Sequence, residues 1–183
     1  MIAAPGLDVS MELRARLADL YCAYSDALDE GELESWPDFY TEECVYKVIP
    51  RENFEAGLPI ALIYCESRGM LVDRVVALRE TALFVPRTVR HLTGNIRLRA
   101  LEPQGLRLTA NFALFQTMTD QPSELFLCGR YHDRVVDMVV ASASPRESAF
   151  MIRRLFRSRL FTRCREIRGD RTWLNPSPRA TTA

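Results

Sequence analysis

Two histidines, His91 and His132, are the only imidazoles in this chain of 183 residues, and neither has a cysteine at ligand spacing. The five cysteines are widely scattered, without the two-to-four-residue spacing of a zinc or redox motif. We expect reduced, mostly buried thiols that pack as small hydrophobic side chains: Cys22, Cys44, Cys65, Cys128 and Cys164. Both histidines with one Asp would make a single iron site. We favour a hydrogen-bonded or surface imidazole at each position instead, because both histidines lie on predicted strands.

Motifs for phosphate binding and covalent catalysis are absent from the sequence. It contains no G-x-G-x-x-G loop, no P-loop and no G-x-S-x-G elbow, and its glycines are isolated. The first 137 residues are net acidic and carry no platform of aromatic and basic side chains, which disfavours nucleic-acid binding. These absences argue against a metal, nucleotide or covalent-nucleophile enzyme.

Acid–base catalysis in a buried pocket stays open, because burial can raise the pKa of a carboxyl group. Five side chains are candidates for it: Tyr24, Asp26, Asp73, His91 and Tyr131. Each has a structural alternative. Tyr24 lies on the apolar face of a predicted helix, Asp26 is expected to be exposed, and Asp73 can form a surface ion pair with Arg74 or Arg79.

The elements that would position these groups begin with helices. Leucines and tyrosines recur at three- and four-residue spacing over residues 13–28, and Asp8 or Ser10 can cap the start of this helix. A short second helix is predicted from Ser35. A third helix begins at about Ser67, and its apolar side consists of Leu71, Val75, Leu78 and Ala82.

Strands are predicted from runs of β-branched and aromatic residues and from the alternation of apolar and polar side chains. Residues 44–49 and 60–64 form two short predicted strands, separated by a polar loop over 51–59. After Pro86 the period becomes strand-like, and tight turns separate three long predicted strands: 88–102, 106–119 and 124–136. Helices followed by a meander of strands predict an α+β fold, in which a curved sheet wraps over the N-terminal helices.

Length and composition fit one globular domain with a substantial core. The chain is 48% hydrophobic and 26% charged, and no stretch approaches the ~20 apolar residues of a membrane helix. Residues 1–8 lack the basic start and apolar run of a signal peptide. We therefore expect a cytoplasmic protein.

Several short sequence pieces, in order, resemble the β (small) subunits of aromatic-ring-hydroxylating dioxygenases. They are Trp36-Pro37-Asp38-Phe39-Tyr40 before Cys44-Val45-Tyr46, Met70-Leu71-Val72-Asp73-Arg74 with Leu78-Arg79, Arg90-His91-Leu92 with Asn95, and Gly129-Arg130-Tyr131-His132-Asp133-Arg134. Each piece alone is weak, and their order and spacing together are fairly specific. The resemblance implies the cystatin-like cone shared with nuclear transport factor 2 and scytalone dehydratase.

The resemblance also implies a division of labour. A large α subunit would carry the Rieske 2Fe-2S cluster and the mononuclear iron, in an α3β3 complex with β–β contacts, and this chain would hold no cofactor and no catalytic residue. Two histidines cannot furnish both iron sites. The expected core or subunit-contact positions are Trp36, Tyr46, Arg74, Arg90, His91, Arg130, Tyr131 and Asp133.

The sequence also bears on the substrate class and leaves two alternative functions open. The spacing around residues 52–73 is most similar to subunits that act in the catabolism of aromatic carboxylic acids such as terephthalate, anthranilate or salicylate. The alternatives are a stand-alone acid–base enzyme, a dehydratase or isomerase with a pocket inside the cone, and a non-catalytic binding module.

The chain divides at residue 137 into a domain and an atypical basic segment. Residues 1–137 carry 14 Lys+Arg and 21 Asp+Glu, a net charge of −7, whereas residues 138–183 carry 10 Arg and 3 acids, a net charge of +7. The second segment is rich in Arg, Ser and Pro and has no strand period. The family would place its last strand there, reading G-L-R-F-x-E-R-x-C-x-Y-D-S.

A frameshift near residues 137–140 is our hypothesis for this change. We shift the reading frame over residues 140–153 so that each new codon starts at the last base of the old one. The shifted codons permit Gly, Leu, Arg, Phe, Glu, Arg and Cys in the order in which the family has them. The Phe150–Met151 junction allows only Tyr or His, the Met151–Ile152 junction forces Asp, and the next permits Ser. The alternative is a divergent basic tail that binds RNA or acidic partners.

Overall fold

The computed structural model describes residues 10–81, 86–138, 149–152 and 156–160. Its helices are α1 (Met11–Asp29), the 3-10 helix η1 (Trp36–Phe39), α2 (Arg51–Glu55) and α3 (Arg68–Glu80). Its strands are β1 (Tyr46–Pro50), β2 (Ile63–Cys65), β3 (Arg87–Glu102), β4 (Gly105–Met118), β5 (Glu124–Met138), β6 (Ala149–Ile152) and β7 (Phe156–Leu160). The predicted roles of Asp8 in capping, of Ala82 in the third helix and of Cys164 fall outside these residues.

Two helices begin with a serine cap, at Ser10, which was a predicted cap, and at Ser67, where only the start of the helix was predicted. The Ser10 hydroxyl accepts a hydrogen bond from the Leu13 backbone N–H at 3.1 Å, and Ser67 does the same for Met70 at 3.3 Å. Each bond satisfies an N–H that has no partner inside the first helical turn. The long α1 turns one face to the interior, with Leu17, Leu20, Tyr21 and Tyr24 buried.

The segment after β1 differs from the prediction. Residues 51–55, expected as part of a polar loop, form α2, in which Arg51 and Glu55 make an i,i+4 ion pair at 2.8 Å. Such a pair supports a helical turn that needs no apolar face. Strand β2 begins three residues later than expected, and the exposed Ile60 lies before it.

Three long antiparallel strands form the centre of the molecule. Strand β3 pairs with β4, and β4 with β5, and two register shifts occur in the β3–β4 ladder, between Gly94 and Arg97 and between Leu98 and Ala100. Such irregularities bend a strand and increase its twist, which curves the sheet. At the β3–β4 turn, Gly105 has φ +128°, and a Cβ there would lie 2.5 Å from the Val135 carbonyl oxygen, so only glycine fits.

Residues after 138 have no strand period in the sequence, and two of their segments nevertheless form strands. Strand β6 pairs antiparallel with β5, and β7 pairs parallel with β1, giving the sheet orders β2-β1-β7 and β3-β4-β5-β6. Strand β7 also contacts β5, where the two sheets adjoin. Pairing uses backbone N–H and C=O groups, which any residue except proline supplies in full, so it does not require an alternating side-chain pattern.

The core lies between the inner face of the sheet and the helices α1, η1 and α3. It unites side chains from all of these elements: Leu17, Tyr21, Tyr24, Trp36, Tyr40, Leu71, Val75, Leu108, Phe112, Tyr131 and Val135. The predicted α+β architecture, with a curved sheet over the N-terminal helices, is confirmed. Among the described residues, no helix has the length and apolar character needed to cross a membrane.

Candidate functional site

Alternate residues of β5 face opposite sides of the sheet. Tyr131, Asp133 and Val135 point inward and are fully buried, whereas Arg130 is exposed on the outer side. A titratable carboxyl group therefore lies at the centre of an apolar interior.

The Asp133 carboxylate is hydrogen-bonded to helix α1. The Tyr21 hydroxyl donates to Asp133 Oδ2, whereas Oδ1 is buried without a hydrogen-bond partner among the described residues. Burial raises the pKa of the Asp133 carboxyl to about 7, although the hydrogen bond from Tyr21 acts in the opposite direction. Burial and the nearby carboxylate raise the pKa of Tyr21 well above its ordinary value. The pair can therefore take up a proton near neutral pH.

Aromatic rings fill the space around this pair. Phe112 stacks on Tyr131 with ring centroids 4.4 Å apart, and Tyr131 stacks on Tyr21 at 6.0 Å. Trp36 meets Tyr46 edge-on at 5.2 Å. Such contacts add packing energy beyond the buried area alone. Asp133 is only 2% exposed, so its carboxyl is enclosed by the protein's own rings and does not face solvent.

A second polar group in the interior is the Tyr24 hydroxyl, which joins α1 to two residues of the η1 segment. Tyr24 of α1 accepts a hydrogen bond from Trp36 Nε1 at 3.2 Å, and the Tyr40 hydroxyl donates to it at 3.4 Å. Burial raises the pKa of Tyr24 to about 12, so this phenol stays neutral at physiological pH. The Arg74 guanidinium lies close enough to Tyr46 to oppose the effect of burial on its pKa.

His91 joins strand β3 to the end of α1. Its backbone N–H donates to Asp29 Oδ2 at 2.7 Å, and its Nδ1 lies 2.6 Å from Asp29 Oδ1. Both side chains are largely buried. The carboxylate thus holds the helix terminus and the strand together with two hydrogen bonds.

His132 faces away from His91. The register pairs His91 with Leu114 on the inner side of the sheet. His132 follows the inward-facing Tyr131 and therefore points outward. Its ring stacks there on Phe54, with ring centroids 5.8 Å apart. The iron site considered for these two histidines is therefore wrong, because they lie on opposite faces of one sheet. Among the described residues, no three His, Cys, Asp or Glu side chains are grouped to hold a metal ion.

The remaining candidate residues lie at the surface. Arg90 pairs with Glu30 at 2.9 Å, and Asp26 and Asp73 are both exposed. Asp73 was expected to pair with Arg74 or Arg79, and Arg79 instead forms its ion pair with Glu34 at 2.7 Å. The structure therefore brings Tyr24, Tyr46, Trp36, Tyr131 and Asp133 together in the interior and leaves the other candidates apart.

Of the four cysteines in the described part, Cys44 and Cys65 are buried, Cys128 is half-buried and Cys22 is exposed, and all four are reduced. Burial raises the pKa of Cys44 to about 11. It is thus a poor nucleophile, as a packing residue should be.

Sequence reasoning missed Tyr21 and Asp29. Tyr21 lies three residues before Tyr24, so its spacing indicated a residue on the inward helical face. Its hydrogen-bond partner, Asp133, is 112 residues away in the sequence. Asp29 was one of nine carboxylates between residues 19 and 43, and nothing in the local sequence distinguished it. Both needed the tertiary arrangement to be recognised.

Similar proteins point to one family. The family model described as "Ring hydroxylating beta subunit" matches residues 25–140. The small subunit of anthranilate 1,2-dioxygenase from Burkholderia cepacia is 35% identical over 113 residues, which cover 62% of this chain and 70% of that protein.

Solved structures agree with the sequence comparison. A protein from Novosphingobium aromaticivorans, assigned as the beta subunit of an aromatic-ring-hydroxylating dioxygenase, superposes with TM-score 0.70 at 32% identity, covering 84% of this chain and 92% of its own. A protein from the same organism assigned as a scytalone dehydratase has TM-score 0.57 at 17% identity, covering 81% of this chain and 83% of its own. The second likeness concerns the fold alone.

Proposed function

This chain belongs to the ring-hydroxylating beta-subunit family, and from that membership we propose that it is the structural small subunit of a Rieske non-haem iron dioxygenase. In this role it supports assembly of a large α subunit, which carries the Rieske 2Fe-2S cluster and the mononuclear iron, in a cytoplasmic α3β3 complex. The chain itself performs no oxidation.

The placement of the two histidines carries this proposal. A Rieske centre uses two imidazoles, and a facial triad uses two more with a carboxylate. The sequence has two in total, and they point to opposite sides of the sheet. The described residues therefore do not fit either iron group, and the redox chemistry of the family needs a second polypeptide.

Co-expression tests this role directly. The full chain carrying an affinity tag is produced with and without a Rieske-type large subunit from the same organism. We expect equimolar co-purification of a coloured, iron-containing hexamer in the first case, and a colourless protein without activity towards aromatic acids in the second. Stoichiometric iron in the isolated chain, or turnover without the large subunit, contradicts the proposal.

The substrate class that we propose is an aromatic carboxylic acid. The relative named for anthranilate supports it, at 35% identity. Oxygen uptake by the reconstituted complex should respond to anthranilate and related benzoic acids and not to unsubstituted aromatic hydrocarbons of similar size. A complex that prefers naphthalene over these acids contradicts the substrate class and leaves the structural role untouched.

One observation favours a second function, acid–base catalysis inside the cone. Asp133, with a pKa raised to about 7 and hydrogen-bonded to Tyr21, has the properties of a general acid or base. Its near-complete burial argues against contact with a substrate. Turnover of a small hydroxylated substrate by the isolated, metal-free chain, abolished by Asp133→Asn, would favour this function over the first.

We also propose that residues 138–183 are the product of a frameshift relative to the family. Two observations support it: the family match ends at residue 140, and the net charge changes sign at the same place. Sequencing the gene and its transcript tests the proposal. Finding no reading frame that restores a Tyr-Asp-Ser tail would contradict it and favour a genuine basic tail.

A further inference from the structure

The outer side of the three long strands carries a cluster of arginines, here called the arginine face. Strand pairing places its members in adjacent rows, with Arg107 beside Arg134 and with Arg97 one row from Arg130. Since alternate residues share a side of the sheet, all of them project away from the core. The arginine face consists of Arg97, Arg99, Arg107, Arg130 and Arg134.

The positive charge of this face is only partly balanced within the chain. Glu102 binds both Arg107 and Arg134, at 3.1 Å and 2.7 Å. Arg99 and Arg130 donate hydrogen bonds to neutral side chains of β4. Among the described residues, Glu102 is the carboxylate paired with this face, so five guanidinium groups share one counter-charge.

An apolar margin adjoins the arginine face. Leu92 is 62% exposed and lies in one row with Ala113 and Cys128 on the outer side of the sheet. Guanidinium groups beside exposed aliphatic side chains are typical of subunit interfaces, where arginine is enriched and other charges are depleted. The face therefore has the chemistry of a docking surface for an acidic partner.

A complementary surface exists on the same molecule. No Lys or Arg occurs between Arg16 and Lys47, whereas nine carboxylates do. On the exposed side of α1, Asp19 and Asp26 are not paired within the described residues, and the side chains between and before them are small. This acidic stripe consists of Ala15, Asp19, Cys22, Ala23 and Asp26, all exposed.

We propose that the acidic stripe of one copy docks on the arginine face of a second copy, head to tail. The inference rests on the proposed function, because it names the contact that would hold the small subunits together. Two arginine faces repel each other, which disfavours a symmetric dimer through this surface. A contact between two different surfaces generates a ring when its rotation closes and an open chain when it does not.

The spacing of the charges suits this contact. Asp19 and Asp26 are seven residues apart, or about 10 Å along a helix. Arg97 on β3 and Arg130 on β5 are two strand spacings apart and offset by one row, a separation of about 12 Å. A helix crossing the strands can therefore present one carboxylate to each arginine, and its small side chains allow a close approach.

Charge reversal in the full chain tests the contact. The double variants Arg97→Glu/Arg130→Glu and Asp19→Arg/Asp26→Arg should each weaken self-association by about tenfold or more, because attraction becomes repulsion. The variant with all four changes should recover it. Arg87→Glu, at the opposite end of β3, is the matched control and should leave association unchanged. Sedimentation velocity on the isolated chain and on the complex with the large subunit gives the measurement.

Chemical cross-linking gives an independent readout. Cys22 lies in the acidic stripe and Cys128 lies beside the arginine face, so a short bismaleimide should join them between copies. Mass spectrometry should find the Cys22–Cys128 peptide from wild-type protein and not from Arg97→Glu/Arg130→Glu. A cross-link that persists in this variant overturns the proposal.

The remaining outcomes are also decisive. The inference is overturned if copies of the wild-type chain do not contact one another, either alone or in the complex. It is also overturned if the variant with all four charge reversals fails to recover association. If reversal of the arginine face releases only the large subunit, that subunit is the occupant and the inference is wrong. A chain that self-associates through these surfaces but never binds a large subunit contradicts the proposed function and supports the contact.

Discussion

The two faces of strand β5 differ sharply although their residues alternate along one short segment. Tyr131 and Asp133 lie among stacked rings and tyrosine hydroxyls, whereas Arg130 and Arg134 share an outer surface with other guanidinium groups. The inner face stabilises the fold through packing, and the outer face leaves charge for a partner. Substitutions on the inside should therefore change stability, and those on the outside should change assembly.

The largest effect is expected from Tyr131→Ala. This change removes a fully buried ring that stacks on both Phe112 and Tyr21, and truncating a buried aromatic costs about 4 kcal/mol of unfolding free energy. Urea denaturation followed by circular dichroism measures it. Arg130→Ala, the adjacent outward residue, should change stability by no more than about 0.5 kcal/mol. An equal loss of unfolding free energy in the two variants would show that the two faces of β5 do not differ in their effect on stability.

The next effect concerns pH. Because the folded-state pKa of Asp133 is raised to about 7, the folded protein binds a proton more tightly than the unfolded chain does. The Asp133 carboxyl therefore stabilises the folded state below its unfolded-state pKa. This stabilisation is lost as the pH rises towards 7. Asp133→Asn keeps the acceptor for Tyr21 and cannot ionise, so its advantage over wild type should grow by about 3 kcal/mol between pH 5 and pH 8.

Denaturation midpoints of both proteins across this pH range measure the difference. Asp73→Asn is the matched control, since Asp73 is exposed and lies outside the acidic stripe, and its curve should run parallel to that of wild type. If the Asp133→Asn curve runs parallel to wild type as well, Asp133 does not titrate in this window.

Neighbouring residues of β3 allow a finer comparison. His91 faces inward and is held by Asp29 through two hydrogen bonds. Asp29→Ala should lower stability by about 2 kcal/mol, since it leaves a partly buried N–H and an imidazole without their acceptor. Amide hydrogen exchange should show faster opening at the end of α1, and protection that stays unchanged there would contradict the assigned role.

The smallest effect is expected one residue away. Arg90 faces outward and pairs with Glu30, and both side chains are more than half exposed. Such pairs contribute only a few tenths of a kcal/mol, because water and salt screen them. Arg90→Ala should therefore leave the urea midpoint nearly unchanged, and a loss as large as that of Asp29→Ala would show that the two sides of β3 are not distinct.

Much of the fold was predictable from the sequence because its strongest signals are local. The periodicity of α1, its cap at Ser10 and the alternation in β4 depend on neighbouring residues only. Helix α2 was missed because a five-residue polar turn has no apolar face to reveal it. The strands β6 and β7 were missed because backbone pairing left no alternating pattern to detect.

The interior site was only partly predictable for a related reason. Tyr131 and Tyr24 were recognised as candidates from their patterns, and Asp133 from a resembling segment. The bond between Tyr21 and Asp133 joins residues 112 positions apart, and no local pattern encodes such a contact. The opposite orientation of His91 and His132 likewise depends on strand register, which the sequence does not state.

The parallel pairing of β1 with β7 has a consequence for synthesis. Tyr46 finds its partner Phe156 more than a hundred residues later, so β1 leaves the ribosome long before β7 exists. Until then one side of β1 has unpaired backbone groups, a template on which another nascent chain can add a strand. Pairing two strands that are so far apart in the sequence is also slow. The yield of native protein should therefore depend on how quickly translation reaches the last strand.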